Sequence, residues 1–394
     1  MKLRALAAAM GIAEYPADTD AVYATLTAGE DVFCKEYYVR IERDYGAVGE
    51  YMPDVLAAAE ELKKRPLVHR WARLGVACLC RTDGKPFLLP MPKSDGTPLG
   101  NLLTLLVHLG AVPVAYRRYR ARGLSHEVAV ASLGNIPLSV RSAEFRLGHL
   151  EVDGPIYSWI NCYTTASIFR YGSLNFQPMT LGGQMLVLKS RKSGEYRILM
   201  AEGRFHRSGN VLGSGGCEDE EGAFSADFCE DDFVFLGHVA EEGLVSRERL
   251  CFKKDEWECV LRPGDYVANL HIPRGADISP DAVAASLKEG LRLMAECYGG
   301  GAPKGAVCYS WMLSPLLADF LGETAKLSLF MRQFTLFPIR DGGGAVVSRV
   351  FPDPYGKPLA EYPEDTALQR ALKRHMLGGG YLLTTGGVIL STLR

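Results

Sequence analysis

The pattern of apolar and polar positions changes its period once along the chain. Up to about residue 140, apolar residues recur at the three-to-four spacing of amphipathic helices, as Val55, Ala59 and Leu62 do. Pro98–Gly110 has the composition of a short buried helix that a glycine ends. Asn135-Ile-Pro137 then interrupts the pattern. The sequence therefore predicts a helical domain over residues 1–140 and a second domain over residues 141–394.

Period-two and β-rich runs dominate the second domain. Two such runs, residues 184–189 and 196–201, flank the polar segment Ser190–Gly194 and predict a β-hairpin. Further strands are expected at residues 233–240, 250–253 and 266–272, and two final strands at residues 327–339 and 345–351. The segment Arg340–Gly344 between those last two is then expected to be a hairpin turn.

The stretch Asp265–Trp311 combines a strand, a loop, a helix and a second strand. Its helix starts after Ser279, a typical N-cap residue, with a proline at the first helical position. The first strand ends at His271, and the second ends at Tyr309 and Ser310. Both strands thus end in side chains that can exchange protons, and we expect any small-molecule chemistry of this protein there.

Composition and charge exclude several classes of function. The chain has 394 residues, of which 47% are hydrophobic and 23% charged, the values of an ordinary globular protein. A formal net charge of -2 gives no overall field for nucleic acid or an anionic membrane. No apolar run approaches the ~20 residues of a membrane span. The basic, apolar start is expected to be a helix rather than a signal peptide. We therefore predict no nucleic-acid or membrane partner.

The sequence predicts no metal site. Its ten cysteines include no C-x-x-C pair, and scattered reduced cysteines are typical of a cytoplasmic protein. His206 and His238 could join His271 as ligands, but no ligand spacing supports this. The segment Cys217–Asp232 carries eight acidic residues without the spacing of a calcium loop, so a solvated loop is expected.

Three segments together resemble a known family. Leu270–Gly275, Cys308–Leu317 and Asp365–His375 are similar to segments of the predicted acyltransferases that pair a helical N-terminal domain with a GNAT-like C-terminal domain, and Tyr171–Gln177 looks like another such segment. The resemblance covers nearly the whole chain, most specifically residues 165–390. It implies an α+β fold, in which the helical domain is followed by a GNAT-like mixed β-sheet flanked by helices.

The resemblance also implies an activity. The expected reaction moves an acyl group from acetyl-CoA or another acyl-CoA to an amine or hydroxyl acceptor, by direct attack in a ternary complex. The pyrophosphate would lie at the helix N-terminus, where free N–H groups favour an anion, beside the expected cofactor-binding residues Ile272, Arg274, Gly275 and Ala276. His271, or a water that it orders, would take the proton, and Tyr309 or Ser310 would protonate the departing thiolate. Strand alternation allows at most one of those two hydroxyls to face the thioester.

Other interpretations remain open at this stage. Tyr309 stands where the family often has histidine, and Ser173 where it often has arginine. The glycine-rich pyrophosphate signature is missing after Ile272. Arg340–Ala345 has the residue types of this signature, but it is expected between two strands and not at the start of a helix. A non-catalytic binding or scaffold protein is therefore the alternative function. His271 could instead shape the loop, and Cys308 could be either a nucleophile or a buried strand cysteine.

Overall fold

The computed structural model describes residues 1–26, 31–183 and 185–390, and it divides into two compact units, Met1–Tyr171 and Gly172–Arg394. The boundary predicted near residue 140 falls within a helix, Asn135–Leu147. Pro137 does not interrupt this helix because it lies in the first turn, where the missing N–H has no intrahelical acceptor.

The first unit is helical, as the sequence predicts. Its helices are α1 Leu3–Ala9, α2 Thr19–Ala24, α3 Lys35–Tyr45, α4 Met52–Lys63, α5 Pro66–Cys80, α6 Pro98–Gly110, α7 Val112–Ala121, α8 His126–Leu133, α9 Asn135–Leu147 and α10 Gly154–Thr164, with a 3-10 turn at Gly49–Tyr51 and a short strand, β1 Phe169–Tyr171. Ser125 caps α8 by accepting a hydrogen bond from the Val128 N–H.

Helices α6 and α7 follow each other almost without a break and form much of this unit's core. By length and composition alone, the combined stretch Pro98–Ala121 is long and apolar enough to cross a bilayer. Each of the two helices alone is too short for this. However, 67% of its most apolar window is buried inside the protein, as in the core helix of a globular domain.

The second unit is built on two sheets with helices around them. Its strands are β2 Leu174–Thr180, β3 Met185–Ser190, β4 Tyr196–Met200, β5 Arg204–Phe205, β6 Phe224–Ser225, β7 Phe228–Glu230, β8 Val234–Glu241, β9 Leu244–Lys253, β10 Trp257–Leu261, β11 Tyr266–His271, β12 Gly305–Ser310, β13 Thr335–Pro338 and β14 Thr385–Leu390. Its helices are α11 Pro280–Cys297, α12 Leu316–Leu321, α13 Lys326–Met331, α14 Gly344–Val350 and α15 Ala367–Leu377, with 3-10 turns at Trp311–Leu313 and Leu359–Glu361. The predicted hairpin is confirmed as β3 and β4, while Gln184, its predicted first residue, lies outside the described residues.

The sheet that carries the strand ends His271 and Ser310 runs β2-β11-β12-β14-β13 within this unit. The central strands β11 and β12 are parallel, and every other neighbouring pair among these strands is antiparallel. Val267 and Val307 from this sheet share a core with Val187 and Ile198 of the second sheet. Helix α11 connects β11 to β12, and Gly290 on it leaves room for the Phe176 ring of β2.

The two final strands were predicted incorrectly. Residues 326–331 form α13 and only Thr335–Pro338 is a strand, whereas residues 344–350 form α14. Val346 and Val350 are buried four residues apart, on one face of a helix, against Leu317, Leu372 and Leu382. The predicted hairpin turn Arg340–Gly344 is therefore also wrong, since this segment leads from a strand into a helix. A short apolar run rich in β-branched residues does not distinguish the two structures.

Candidate functional site

The hydrogen-bonded ladder between the two central strands ends before the strands themselves do. β11 pairs with β12 through Ala268–Ala306, Asn269–Val307 and Leu270–Cys308. On its other side β11 continues to pair with β2 as far as His271–Asn175, and β12 pairs with β14 as far as Ser310–Thr385. Beyond Leu270 and Cys308 the facing edges of β11 and β12 are therefore unpaired with each other, as expected for strands that diverge.

Strand register decides which side chains meet at this end of the sheet. Residues directly opposite each other on paired strands project to the same face, and Asn269 lies opposite both Gln177 on β2 and Val307 on β12. Two residues further along each strand, His271 and Tyr309 project to that same face. The structure thus brings together two of the three predicted catalytic residues on the face that Val307 turns towards the second sheet.

Ser310 and Cys308 project to the opposite face. Cys308 lies opposite Leu270, and Ser310 follows it by two positions. The Ser310 hydroxyl accepts a hydrogen bond from the Met312 N–H at 3.1 Å and so caps the 3-10 turn Trp311–Leu313. Cys308 is fully buried, and burial raises the pKa of its thiol to about 12. The thiol therefore stays protonated near neutral pH, which argues against the nucleophile interpretation.

His271 is partly buried at the end of β11. Its Nε2 lies 3.0 Å from Oε1 of Gln177. Burial lowers the pKa of His271 to about 4. The imidazole is therefore neutral at pH 7, the state in which a ring nitrogen can take up a proton.

Tyr309 is 40% exposed and packs its ring edge-to-face on Phe337 of β13, with 6.0 Å between ring centroids. Partial burial, and to a smaller extent the neighbouring Cys308, raise the pKa of its phenol above the usual value. The phenol thus remains protonated near neutral pH and can donate a hydrogen bond or a proton.

Sequence reasoning missed two polar residues beside His271. Gln177 on β2 accepts hydrogen bonds from His271 and from the Asn269 side-chain amide, the latter at 3.3 Å. Oδ1 of Asn269 is buried without a hydrogen-bond partner within the part of the chain that the structure describes. Asn269 precedes His271 by two positions, so alternation along the strand could have indicated it. The contribution of β2 required knowledge of the strand pairing.

The loop that follows β11 contains the four predicted cofactor-binding residues. Ile272 leaves the strand, and the Ala276 N–H donates to the Pro273 carbonyl at 3.1 Å, which closes a β-turn with Arg274 and Gly275 at its centre. Gly275 has φ of +78°, the left-handed conformation that the third position of such a turn favours in glycine. Arg274 lies exposed on the turn, and no atom lies within 4 Å of the position of a Cβ on Gly275.

Asp277 occupies part of the helix N-terminus that was predicted to hold pyrophosphate. Its carboxylate accepts hydrogen bonds from the Ser279 N–H at 3.0 Å and the Ser279 hydroxyl at 3.1 Å. Those hydrogen bonds lower the pKa of Asp277. Ser279 is the N-cap residue of α11, as predicted, but its hydroxyl donates to Asp277 and makes no side-chain cap. An incoming anion would meet this negative charge beside the favourable helix dipole.

The two other histidines considered as metal ligands, His206 and His238, each lie beside an acidic residue. Nε2 of His206 lies 3.1 Å from Asp219, and Nε2 of His238 lies 3.2 Å from Asp227. Neither histidine joins His271, and no cluster of three potential ligands exists within residues 1–26, 31–183 and 185–390.

A cavity of about 840 Å³ lies within the helical unit. Tyr157, Val152 and Met91 contribute apolar surface to it, and Asn101 and Glu151 contribute polar groups. One oxygen of Glu151 lies 2.9 Å from Nε2 of His149. The volume is within the range that small-molecule sites occupy in proteins.

Comparison with known proteins agrees with this arrangement of strands. Residues 168–389, more than half of the chain, match the family described as the GNAT-like C-terminal domain. The chain belongs to this family. The resemblance inferred from the three sequence segments is thereby confirmed, as is the α+β fold of a helical region followed by a GNAT-like mixed sheet. No curated protein matches the chain.

Several solved structures share the fold over the full chain. An acyltransferase in complex with CoA and 10C-teicoplanin superposes with a TM-score of 0.64 at 18% identity, over 99% of each chain. An acyltransferase in complex with decanoyl-CoA and teicoplanin gives 0.63 at 18%, again over 99% of each chain. An acyltransferase mutant in complex with octanoyl-CoA gives 0.62 at 17%, with the same coverage. At these identities the similarity establishes the fold of this GNAT-like chain.

Proposed function

We propose that this GNAT-like protein transfers an acyl group from an acyl-CoA to an amine or hydroxyl acceptor. The observation that carries the proposal is the pair of strand ends beyond the last β11–β12 pair, Leu270–Cys308, which turn a neutral histidine and a protonated tyrosine to one face of the sheet. The family supports it, and so do the fold relatives that are acyltransferases in complex with acyl-CoA.

The residues at the strand ends can supply both proton transfers of a direct reaction. The nitrogen or oxygen of the acceptor forms a bond to the thioester carbon, and His271 takes the proton that this atom loses. Tyr309 donates its phenolic proton as the carbon–sulfur bond breaks, so that CoA leaves as a thiol. Each such transfer contributes roughly 10²–10⁴ in rate. Ser310 takes no part in this scheme, since its side chain projects to the other face.

The loop after β11 and the start of α11 would bind the pyrophosphate of the acyl-CoA. Arg274 supplies positive charge, and the first turn of α11 supplies backbone N–H groups, since these have no partner within a helix. Asp277 opposes this binding. We therefore expect a modest affinity that rests on the whole acyl-CoA rather than on its pyrophosphate alone.

The helical unit would bind the acceptor in its cavity of about 840 Å³. Glu151 gives this cavity a carboxylate suited to an ammonium group, and Asn101 offers an amide to a polar acceptor. Two of the fold relatives are acyltransferases in complex with teicoplanin or 10C-teicoplanin, which supports a second ligand beside the acyl-CoA.

A thiol-release assay tests the proposal. The full-length protein is incubated with acetyl-, octanoyl- or decanoyl-CoA and a panel of primary amines and alcohols. We expect acceptor-dependent release of CoA, which His271→Ala reduces by roughly 10²-fold or more. The absence of acceptor-dependent release with every donor would contradict the proposal.

A non-catalytic binding protein is the second candidate, and Asp277 beside the helix N-terminus is the observation that favours it. The two candidates differ in one outcome. Binding of acyl-CoA without turnover of any acceptor, and with no effect of His271→Ala on acyl-CoA hydrolysis, would support the second.

A further inference from the structure

A serine, a histidine and an aspartate meet in the second unit, in the loops around β5 and β6. His206 is buried there, with 6% of its surface exposed. Its Nδ1 lies 2.8 Å from the Ser208 hydroxyl, and its Nε2 lies 3.1 Å from Oδ2 of Asp219. A hydroxyl within hydrogen-bond reach of a base that a third group orients is the arrangement that activates a nucleophile.

The partners of His206 determine where its ring proton lies. The hydrogen bond from His206, together with Arg207, lowers the pKa of Asp219, so the carboxylate is ionised and only accepts hydrogen bonds. The nitrogen that faces it, Nε2, therefore carries the hydrogen. At the other side of the ring the Ser208 backbone N–H, which only donates, points at Nδ1 over 3.2 Å. Both sides of the neutral ring thus require the same tautomer, in which the lone pair of Nδ1 faces the Ser208 hydroxyl.

His238 in the same unit has the opposite arrangement. Its Nε2 lies 3.2 Å from Asp227, but its Nδ1 lies 3.1 Å from the backbone carbonyl oxygen of Ser246. Both ring nitrogens of His238 therefore face acceptors. A carboxylate beside a buried histidine thus does not by itself make the ring a base for a hydroxyl, and the serine at Nδ1 distinguishes His206.

A tight β-hairpin turn presents Ser208 to solvent. The Gly209 N–H donates to the His206 carbonyl and the His206 N–H donates to the Asn210 carbonyl, each at 2.8 Å. Gly209 has φ of +89°, and a Cβ there would lie 2.7 Å from the Val245 carbonyl oxygen, so this position requires glycine. Backbone contacts therefore close the turn without the side chains of His206 and Ser208. Because Ser208 is exposed, an acyl group can reach its hydroxyl from solvent.

Asn210 places hydrogen-bond donors beside the same hydroxyl. Its backbone nitrogen lies 3.5 Å from Ser208 Oγ, and its side-chain nitrogen lies 3.4 Å from it. Donors at such positions stabilise the negative charge that develops on a carbonyl oxygen when a hydroxyl attacks the carbonyl carbon. The backbone N–H has this role whichever way the side-chain amide is turned.

We propose that Ser208 is a nucleophile for small activated carboxylic esters, with His206 as its base and Asp219 as the positioning residue that orients the base. Oγ attacks the carbonyl carbon while its proton passes to Nδ1 of His206. The bond from that carbon to the leaving oxygen breaks, and Nδ1 gives the proton to this oxygen, so that an alcohol departs. Water then attacks the acyl-serine through the same base, which releases the carboxylic acid and restores the Ser208 hydroxyl. Neither acyl-CoA nor the strand ends enter these steps, so the inference does not rest on the proposed acyl transfer.

Covalent labelling of the full-length protein identifies the nucleophile. The probe is a fluorophosphonate, which transfers its phosphonyl group to an activated serine with loss of fluoride. We expect one label per chain, located on Ser208 by peptide mass spectrometry, and its loss in Ser208→Ala. Ser193→Ala, at another exposed turn, is the matched control and should be labelled like the wild type. A label on a different residue, or no label on the folded protein, would overturn the proposal.

Rates of p-nitrophenol release from p-nitrophenyl acetate test the roles of the two partners, after subtraction of the rate in Ser208→Ala. We expect His206→Gln to lower this rate at least about 10²-fold, within the range of a general base, and His238→Gln to leave it unchanged. Asp219→Asn should lower it about tenfold without a change in KM, and Asp219→Glu, which keeps a carboxylate, should restore part of the loss.

The exposed position of Asp219 keeps the test decisive if His206→Gln does not fold. In that case the two Asp219 variants measure the contribution of the histidine–aspartate pair. Equal rates in Asp219→Asn, Asp219→Glu and the wild type would show that this pair does not activate Ser208. Equal rates in Ser208→Ala and the wild type would show that Ser208 is not a nucleophile.

Discussion

At the residue scale, the strand ends sort the predicted catalytic groups by face. His271 and Tyr309 share the face of Asn269 and Val307, whereas Ser310 and Cys308 do not. Alternation along β12 predicted that only one of Tyr309 and Ser310 would face the thioester, but choosing between them required the register with β11. The hydrogen bonds of Gln177 could not be predicted from the sequence, since β2 and β11 are distant along the chain.

Replacing Tyr309 and Ser310 one at a time tests which of the two hydroxyl groups takes part in the reaction. We expect Tyr309→Phe to lower kcat by roughly 10²-fold, since it removes the donor to the thiolate and keeps the ring contact with Phe337. Ser310→Ala is the matched control and should cost stability, about 1 kcal/mol, through the lost cap on the turn at Met312. Steady-state kinetics and urea unfolding of both variants measure these effects. A larger loss of kcat in Ser310→Ala would reverse the assignment.

His108 in the helical unit provides a prediction about pH and stability. It is fully buried, donates from Nε2 to the Tyr157 carbonyl at 2.9 Å, and lies 3.3 Å from the Thr164 hydroxyl through Nδ1. Burial lowers the pKa of His108 to about 4. The unfolded chain binds a proton at this residue below about pH 6.5, whereas the folded protein does not.

The stability of the protein should therefore fall as the pH decreases from about 6.5 to about 4, by on the order of 3 kcal/mol from His108 alone. Urea unfolding at several pH values measures this slope. In His108→Gln the loss of unfolding free energy over this pH range should be smaller by the contribution of His108. The same substitution at the exposed His126 is the control for removing a histidine. An unchanged slope in His108→Gln would show that this residue is protonated in the folded state.

At the element scale, the segment from β11 through α11 to β12 was predicted almost to the residue. The strand period, the proline at the first helical position and the closing glycines each point to the same boundaries. The later segment from β13 to α14 was predicted incorrectly. Val346 and Val350 favour a helix there because they pack against residues remote in the chain, such as Leu372, and the local sequence does not reveal those contacts. The sequence also identified Ser279 as the N-cap residue but not the role of Asp277.

Asp277 gives a prediction for the start of α11. Asp277→Asn keeps an oxygen that accepts from the Ser279 N–H and removes the negative charge. We expect the affinity for CoA to rise about two- to fivefold at low salt, the size of a helix-terminus charge effect, and the gain to shrink as salt increases. Calorimetric titration measures it, with Glu289→Gln farther along α11 as the control. A weaker affinity for CoA in Asp277→Asn would place the pyrophosphate elsewhere.

At the scale of the whole molecule, the chain joins a helical unit with a cavity to a GNAT-like unit with a polar strand-end site. Motifs in the sequence were sufficient to identify the family, since Leu270–Gly275 and Cys308–Leu317 contain the two strand ends themselves. The cavity was not predictable, because its lining comes from segments of α6 and α10 and the loops before them, whose packing has no local signature.

If the helical unit binds the acceptor and the GNAT-like unit binds the acyl-CoA, a substitution in the cavity should change the KM for the acceptor and not the Kd for acyl-CoA. Glu151→Gln removes a carboxylate from the cavity. We expect KM for an amine acceptor to rise, by about tenfold for a lost charged hydrogen bond, with an unchanged Kd for acyl-CoA. Glu60→Gln on the surface of α4 is the control. If Glu151→Gln changed the Kd for acyl-CoA and left the KM for the acceptor unchanged, the cavity would not be the acceptor site.

Calorimetric titration of the full-length protein with acetyl-, octanoyl- and decanoyl-CoA tests whether the GNAT-like unit uses an acyl-CoA. We predict saturable heat at a stoichiometry of one for at least one of these donors, with weaker binding in Arg274→Glu because the turn after β11 then repels the pyrophosphate. No heat from any of the three donors at millimolar concentration would mean that this protein does not use an acyl-CoA.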